Sequence, residues 1–548
     1  MCAKVYSNSL LLRSLVSGLI SAHKRDEASP LSAVPYSGRS EWYFRIVAAV
    51  CGAVLGLAAP GLEQWYLPWF LLTTLLLLTF ASGSPWLAGV RGFCFGMGYN
   101  LVYLSWLLTL RSVYCEGTFA FCPQFVDVAI WLVLAAWQGV YVSIFPCIIK
   151  ALPLVSGWLP VRLEKKWHWP TFVVLPLAWV LIDRMCNTTQ LLGFPWSSLH
   201  YSQYKQLVVL QSASLIGGVG ISAWIILVNA NLAALLASNA RGRERFAAIA
   251  FANRRRVFAH TSLTVLVSLM LLWFGFSRLE RERNTDKKTL LFSAVQAGRS
   301  VKSHQASVVD LLNKYFELCA KCPANSVCVW PEWSIALNFR TNAACLNLAS
   351  QIAARNKQAW VVGIFDRDPQ ERIFNSVCAF TQDGKVLPEI YHKRYLVPVG
   401  EYTPDWIRRT PLGTLLYGLS KKYNDVSSGE TPVVFDLGKV RVSPVICFEN
   451  LSPQICSAGV RAGGQVLTDS SDNSWFRLSI LSDQMVSFCV MRAAENHRSF
   501  VFATALGPST IIDSSGHILS QAGREEPAFI SAELPIEQDI TMYTRWCF

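Results

Sequence analysis

Three polar residues in the second half of the chain could together carry out acyl transfer. Glu332 directly follows a β-rich run, Lys393 lies in a loop, and Cys447 ends an apolar run. Catalytic groups often stand where a strand opens into a loop, because the rigid sheet aims them. Singly, each has an ordinary explanation as a core cysteine or a solvated charge. Together they supply a nucleophile, a base and a fixed cation, a complete set for acyl transfer.

The chemistry of a thiol nucleophile gives each of the three residues a role. A free thiol has a pKa of about 8.5 and is only a few per cent thiolate at pH 7, so it needs a base or a nearby cation. We expect Glu332 to take the thiol proton of Cys447 as the general base. We expect Lys393 to stabilise the thiolate and then the oxyanion of each tetrahedral intermediate.

The elements that must position these residues alternate between short strands and helices. Strands are predicted at Leu290–Gln296, Ser326–Trp330, Trp360–Phe365, Val377–Thr381, Val440–Ile446 and Gln465–Thr468. Helices are predicted at residues 301–321, 341–356 and 478–496. Alternation of this kind predicts a layered α/β domain in the second half of the chain.

The first half of the chain has the composition of a membrane protein. Of the 548 residues, 52% are hydrophobic and 16% are charged, and the mean hydropathy is +0.32. A spanning helix needs about 20 mostly apolar residues. The segments that qualify are 44–59, 68–82, 87–110, 126–149, 170–186, 207–237 and 259–277. The sixth is long enough to tilt or break near Gly217, Gly218 and Gly220.

The distribution of lysine and arginine predicts the orientation of these spans. Basic residues crowd the N-terminal tail and the connections 150–169 and 238–258, whereas the alternate connections hold few. Because cytoplasmic connections carry the excess of basic residues, we predict a cytoplasmic N-terminus. An odd number of spans then places everything after residue 277 outside. The same clusters facing anionic lipid explain the net charge of +13, so no nucleic-acid partner is predicted.

Two cysteine pairs and one aromatic connection give weaker predictions. Cys319 and Cys322 form a CxxC pair, but no second pair follows, so neither a metal site nor a cofactor is predicted. Cys115 and Cys122 lie close together and could form a disulfide in an extracytoplasmic loop or remain free thiols. The aromatic connection 188–205 suits either a simple belt at the membrane interface or a lip through which lipid enters.

The order Glu332, Lys393, Cys447 resembles that of the nitrilase, or carbon–nitrogen hydrolase, superfamily. The stretches around Lys393 and Cys447 are similar to those of the apolipoprotein N-acyltransferase family, as are Arg91–Gly98 and Leu192–Trp196 in the apolar half. The resemblance runs from about residue 45 to residue 546. The sequence also departs from the family: its usual tyrosine after the nucleophile is a phenylalanine here, and its further spanning helix would begin where the sequence ends.

The resemblance implies a multi-span α-helical membrane bundle joined to an α/β nitrilase-like soluble domain, an αββα sandwich. We therefore expect a cytoplasmic N-terminal tail at 1–43, a membrane domain of about seven transmembrane helices at 44–277, and a periplasmic nitrilase-like catalytic domain at 278–548. The expected location is the bacterial inner membrane.

The implied activity is transfer of a fatty acyl chain from a phospholipid donor to the α-amine of the diacylglyceryl-cysteine of an apolipoprotein, through a thioester on Cys447. Membrane lipids would surround the protein. Glu401 and Glu449 would support the trio, although anchoring of loops by hydrogen bonds explains them equally well. Two other functions stay open: a membrane-tethered amidase that hydrolyses a small amide, and a catalytically inactive membrane scaffold.

Overall fold

The computed structural model describes residues 38–109, 123–155, 161–163, 166–188, 194–238, 254–300, 307–338, 342–398, 400–402, 409–410, 426–476 and 479–547. These residues form a helical bundle followed by a two-sheet α/β domain. Cys115 and Cys122 lie outside the described residues, as does most of the tail predicted at 1–43. The first helix begins at Gly38, inside that predicted tail.

A helix lies in each of the seven apolar segments. Their bounds are α1 Gly38–Gly56, α2 Pro68–Phe80, α3 Pro85–Tyr103, α4 Pro123–Ala151, α5 Thr171–Thr188, α6 Ala213–Ser238 and α7 Arg254–Asn284. A small sheet separates α4 from α5, with strands β1 Leu154–Val155, β2 Val161–Leu163 and β3 Lys166–Pro170. The last helix extends beyond the predicted span, because its charged end continues as regular helix towards the second domain.

Three of the described helices are long and apolar enough to cross a membrane: α4 from Asp127, α6, and α7 from Val257. Helix α7 has the least buried surface, with 11% of its most apolar window buried inside the protein. Its outer face carries large exposed apolar side chains that include Leu266, Met270, Trp273 and Phe276. A contiguous apolar face of this kind is stable in contact with lipid rather than water.

The predicted break in the sixth segment occurs at Gly217. This residue has φ +70° and ψ 171°, which interrupts helical geometry inside α6. A side chain could not replace its hydrogen, because a Cβ atom there would lie 2.3 Å from the ring of Tyr543. The prediction of a break near these glycines is confirmed, and the new helical start at Gly218 faces the second domain.

The second domain contains two sheets. The first has the order β16-β4-β5-β7-β8-β9, with β6 also paired to β7, and the second has the order β10-β11-β12-β13-β14-β15. The strands of the first sheet are β4 Thr289–Gln296, β5 Val327–Val329, β6 Ile335–Asn338, β7 Ala359–Arg367, β8 Ile373–Phe380, β9 Tyr391–His392 and β16 Ala528–Pro535. Those of the second are β10 Phe435–Asp436, β11 Arg441–Ile446, β12 Val466–Ser471, β13 Ser499–Thr504, β14 Thr510–Ile512 and β15 Ile518–Gln521.

Among the described residues, five helices accompany the sheets: α8 Val308–Lys321, α9 Ala343–Asn356, α10 Pro453–Arg461, α11 Leu481–Asn496 and α12 Met542–Trp546. Apolar residues of both sheets meet in a central core, while α8 and α9 cover the outer face of the first sheet. Helices α10 and α11 lie on the second sheet, so the domain is an αββα sandwich. The predicted fold class is confirmed, and the described part of each predicted strand and helix overlaps an observed one.

The bundle packs directly on the sandwich. One continuous apolar core contains residues of α1 to α6 together with α10, α11 and the second sheet. Every residue of α11 except Asp483 is buried, because the sheet covers one side and the bundle the other. This burial explains why α11 lacks the polar outer face that a sandwich helix in water would carry.

A buried charge pair lies at this junction. Arg492 and Glu495 on α11 form an ion pair of 2.9 Å, with both side chains 1% exposed. Glu495 Oε1 also accepts a hydrogen bond of 2.8 Å from the backbone N–H of Gly218. The carboxylate therefore caps the new helical start after the break in α6, where the helix dipole favours negative charge.

We predict that Glu495→Ala separates the bundle from the sandwich. It removes the cap and leaves Arg492 buried without its carboxylate, which typically costs about 3–5 kcal/mol. Limited proteolysis of the detergent-solubilised protein should cut the variant at lower protease concentration than the parent. Glu317→Ala breaks exposed ion pairs on α8 instead and should leave the pattern unchanged. Equal protease resistance of Glu495→Ala and the parent would contradict this role.

Candidate active site

Glu332 stands just beyond the carboxyl end of β5 and is buried. Its backbone N–H points at the carbonyl of Ser471, 3.4 Å away at the end of β12, so the residue reaches across to the second sheet. The turn that carries it lies against Gly363 of β7, where an added Cβ atom would be 2.2 Å from the carbonyl oxygen of Pro331. A glycine in the neighbouring strand thus makes room for the carboxylate at this position.

Lys393 directly follows β9, and its side chain is 1% exposed. Its Nζ donates to Glu401 Oε1 at 2.8 Å and lies 3.9 Å from Glu332 Oε1. Burial acts to lower the pKa of Lys393, but the charges of Glu401, Glu332 and Cys447 raise it above its ordinary value. The ammonium is therefore cationic at neutral pH and interacts electrostatically with the predicted nucleophile.

The two carboxylates are joined by Asn375 of β8. Its Nδ2 donates to Glu332 Oε1 and, at 3.0 Å, to Glu401 Oε1. Both partners accept only, which fixes the orientation of the amide. The backbone carbonyl of Asn375 also accepts from the N–H of Lys393 at 2.8 Å. This one residue therefore positions all three charged groups, and its interaction with Glu332 restricts where that carboxylate can point.

Cys447 directly follows β11 and has φ +52°, in the left-handed region that non-glycine residues rarely occupy. Such strain occurs where the surrounding structure holds a residue in place, often at functional sites. Here the backbone N–H of Cys447 donates to Asp469 Oδ1 at 2.7 Å. Burial raises the pKa of Asp469 well above its usual range, and nearby Glu449 and Glu332 add to the effect.

Glu449 is fully buried and accepts four hydrogen bonds. The donors are the hydroxyl of Tyr391 at 2.8 Å and the backbone N–H groups of Arg394 at 2.6 Å, Tyr395 at 3.0 Å and Ile446 at 2.8 Å. The carboxylate therefore ties the loop of the lysine to the turn of the cysteine. Glu401 does likewise for its own loop, since its Oε2 accepts from the N–H of Val397 at 2.8 Å. The loop-anchoring alternative thus describes Glu449 well.

The structure brings Glu332, Lys393 and Cys447 to one place between the sheets, with Glu401 and Glu449 beside them. Asn375 and Asp469 are not among the residues predicted from the sequence. A signal was present for both, because each is a strongly polar residue beside a predicted strand, Val377–Thr381 or Gln465–Thr468, and such residues need partners when they are buried.

The side of the site next to Cys447 faces the membrane bundle. The ring of Phe448 stacks on Trp196 at 5.8 Å, on Phe194 at 6.5 Å and on Tyr395 at 5.3 Å between centroids. Trp196 is 4% exposed and donates from its indole to Gln484 of α11. The described part of the aromatic connection, from residue 194 onward, is therefore a packing surface for the second domain, a role that neither an interface belt nor a lipid-entry lip predicts.

A second charged cluster lies at the junction between α7 and the sandwich. Glu282, His497 and Glu537 bring their ligand atoms within 4.8 Å of one another, close enough to bind a metal ion. However, the ammonium of Lys287 contacts both carboxylates. That cation takes the place of a metal, so the cluster is a network of ion pairs that joins α7 to the sandwich.

Together, the fold and the residues around Cys447 define a carbon–nitrogen hydrolase domain carried by a membrane bundle. The family model "Carbon-nitrogen hydrolase" matches residues 292–540, and "Apolipoprotein N-acyltransferase N-terminal domain" matches residues 51–231. The chain belongs to the apolipoprotein N-acyltransferase family, as the sequence predicted, and is an acyltransferase.

Relatives match over most of the chain. The apolipoprotein N-acyltransferase of Geobacter metallireducens is 27% identical over 513 residues, covering 91% of both chains. That of Pseudomonas paraeruginosa is 26% identical over 526 residues, covering 93% of both. A crystal structure of a nitrilase-superfamily member from Saccharomyces cerevisiae, Nit3, is 19% identical and covers 45% of this chain and 90% of its own, with a TM-score of 0.36.

We predict that Asn375→Asp moves the acid limb of the pH–rate profile to higher pH. A third carboxylate beside Glu332 disfavours its ionised form, so the base becomes available only at higher pH. The acyl-transfer rate below neutral pH should fall by about 10- to 100-fold, as expected for about 1.4–2.8 kcal/mol. Asn342→Asp is the control, because aspartate replaces asparagine well at the N-cap of α9. An unshifted acid limb would contradict the role of Asn375.

Proposed function

We propose that this protein transfers an acyl chain from a membrane phospholipid to the α-amine of a diacylglyceryl-cysteine at the N-terminus of an apolipoprotein. The observation that carries the proposal is the contact between Phe448, next to Cys447, and the aromatic residues of the bundle. A site at this junction can receive lipids whose chains stay in the bilayer while their carbonyl carbons reach the sulfur. The names of the relatives specify the same acceptor class.

In the first half-reaction, Glu332 takes the thiol proton and the sulfur of Cys447 attacks the ester carbonyl of the phospholipid. The ammonium of Lys393 stabilises the oxyanion, because it is held rigidly and away from water. The carbon–oxygen bond then breaks, and the proton passes from Glu332 to the departing alkoxide. The products are a thioester on Cys447 and a lysophospholipid.

In the second half-reaction, the acceptor amine attacks the thioester carbonyl. Glu332 takes a proton from the amine, Lys393 again stabilises the oxyanion, and the carbon–sulfur bond breaks. The thiolate of Cys447 leaves and recovers its proton from Glu332. The net result is an amide, and the enzyme returns to its starting state by a ping-pong scheme.

We further propose that the protein lies in the bacterial inner membrane with its N-terminus in the cytoplasm. The clusters of basic residues in alternate connections support this orientation. The sandwich after residue 277 would then face the periplasm. Its location there suits an acceptor whose modified N-terminus is anchored to the outer leaflet.

An amidase that hydrolyses small amides would use the same three residues. The aromatic contact with the bundle favours lipid substrates instead, since hydrolysis of a soluble amide needs no membrane surface. Activity that is independent of added phospholipid would support the amidase.

We predict that phospholipid alone loads Cys447 with one acyl chain as a hydroxylamine-sensitive thioester, detected by mass spectrometry. The loaded enzyme should then acylate a diacylglyceryl peptide in a single turnover. Glu332→Gln and Lys393→Ala should slow loading, the latter by about 100- to 1000-fold, because an oxyanion donor is lost. Cys447→Ala should not load at all.

The matched control is Cys345→Ala, which removes another half-buried cysteine distant in sequence from the site and should load normally. The covalent scheme fails if no thioester forms until the peptide is added and initial rates follow a sequential pattern. It also fails if Cys447→Ala retains the parent rate.

Reporter fusions test the proposed orientation. A reporter inserted in 238–258 should be active only in its cytoplasmic form, because this connection contains six arginines. A reporter fused after Phe548 should be active only in its periplasmic form. A cytoplasmic signal after Phe548 would mean that the chain crosses the membrane an even number of times before the sandwich.

A further inference from the structure

Three cysteines outside the active site meet beneath the first sheet. Cys319 lies in the last turn of α8, Cys322 directly follows that helix, and Cys328 is the middle residue of β5. Their thiol groups hydrogen-bond to one another. Cys319 and Cys328 are fully buried and Cys322 is 6% exposed. The acyl-transfer chemistry uses none of them.

The backbone holds Cys319 and Cys322 at a separation that a disulfide can bridge. The N–H of Cys322 donates to the carbonyl oxygen of Cys319 at 3.1 Å, which closes a four-residue turn. The ends of such a turn lie within about 7 Å between Cα atoms. Disulfides span about 4.4–6.8 Å between Cα atoms. Pro323, Ala324 and Asn325 follow at the surface, so a reactant can approach from that side.

The third thiol has a different environment. Burial raises the pKa of Cys319. Burial also acts to raise the pKa of Cys328, but donors from Cys319, Cys322 and Ser326 hold it well below its ordinary value. Cys328 therefore lies within reach of both members of the pair.

We propose that Cys319 and Cys322 form a dithiol–disulfide site, with Cys328 packed beside the pair. The oxidant would be a disulfide, either of a thiol oxidoreductase of the cell envelope or of a small molecule such as oxidised glutathione. The two thiols lose two electrons and two protons, the Cys319–Cys322 bond forms, and the reagent disulfide is reduced to two thiols. The periplasmic setting, which rests on the proposed function, is the compartment where such a bond persists.

Oxidation would act close to the catalytic base. Cys328 is four residues before Glu332 on the same strand and turn, and it contacts both members of the pair. A disulfide at the end of α8 replaces two hydrogen-bonding thiols by one bond and changes the packing against β5. The site is therefore suited to fix the helix end against the strand that leads to the active site.

The test uses the full-length protein in isolated membranes. One sample is alkylated at harvest, one is treated with oxidised glutathione and one with dithiothreitol before alkylation in denaturant. Trypsin cuts after Lys314, Lys321 and Arg340, so a Cys319–Cys322 bond joins peptide 315–321 to peptide 322–340. We expect this joined pair in the first two samples and not in the third.

Variants identify the bond. Cys328→Ala should keep the joined peptides, and Cys322→Ala should lose them. The proposal is overturned if the bond lies within peptide 322–340, if Cys322→Ala keeps the joined pair, or if all three cysteines are alkylated after oxidised glutathione. Zinc released in proportion to the protein when the thiols are blocked would also overturn it, in favour of a metal–thiolate site.

The readout does not depend on acyl transfer, because Cys447 lies in a different peptide. A protein that is reduced at harvest but forms the joined peptides with oxidised glutathione would support the site and contradict the periplasmic placement. Loss of thioester formation with intact joined peptides would contradict the proposed function alone.

Discussion

The buried ammonium of Lys393 is the interaction on which the active site depends. A cation removed from water is stable only when it is paired and hydrogen-bonded. Here the negative charge comes from the carboxylates of Glu401 and Glu332, which lie 2.8 Å and 3.9 Å from the Nζ atom of Lys393. Asn375 keeps the two carboxylates apart by donating to both. Without the lysine two carboxylates would share one buried site, and without them its charge would be unpaired. Each group therefore makes the position of the others favourable.

In the proposed reaction, two different carboxylates bind the ammonium of Lys393 and transfer the proton. Glu401 provides the short hydrogen bond to Lys393, so Glu332 keeps a longer distance to the ammonium and, in the proposed reaction, is left to exchange a proton. Glu449 contributes differently, since its oxygens accept from two loops and from Tyr391. Its role is to hold the loop of Lys393 against the turn of the nucleophile. A positioning role of this kind needs no contact with the substrate.

The junction between the bundle and the sandwich is the second constraint. Helix α11 is buried except at Asp483, and two of its polar residues contact the bundle: Gln484 contacts Trp196 and Tyr103, and Glu495 caps the helix that restarts at Gly218. The membrane helices thereby orient the face of the catalytic domain that carries Phe448. In the proposed reaction this orientation matters more than the affinity of the protein for either lipid substrate, because both substrates are already confined to the same bilayer.

The sequence alone determined the apolar helices, the alternating strands and helices of the sandwich, and the family, because periodicity, hydropathy and local motifs are properties of neighbouring residues. It also selected Glu332, Lys393 and Cys447 as candidates, since together they supply a base, a cation and a nucleophile. Only the tertiary structure decided what surrounds them. Asn375 and Asp469 contact these residues across strands distant in sequence, and Phe448 meets Trp196 from the other domain. Such contacts form when sheets pair and domains pack, so no local pattern encodes them.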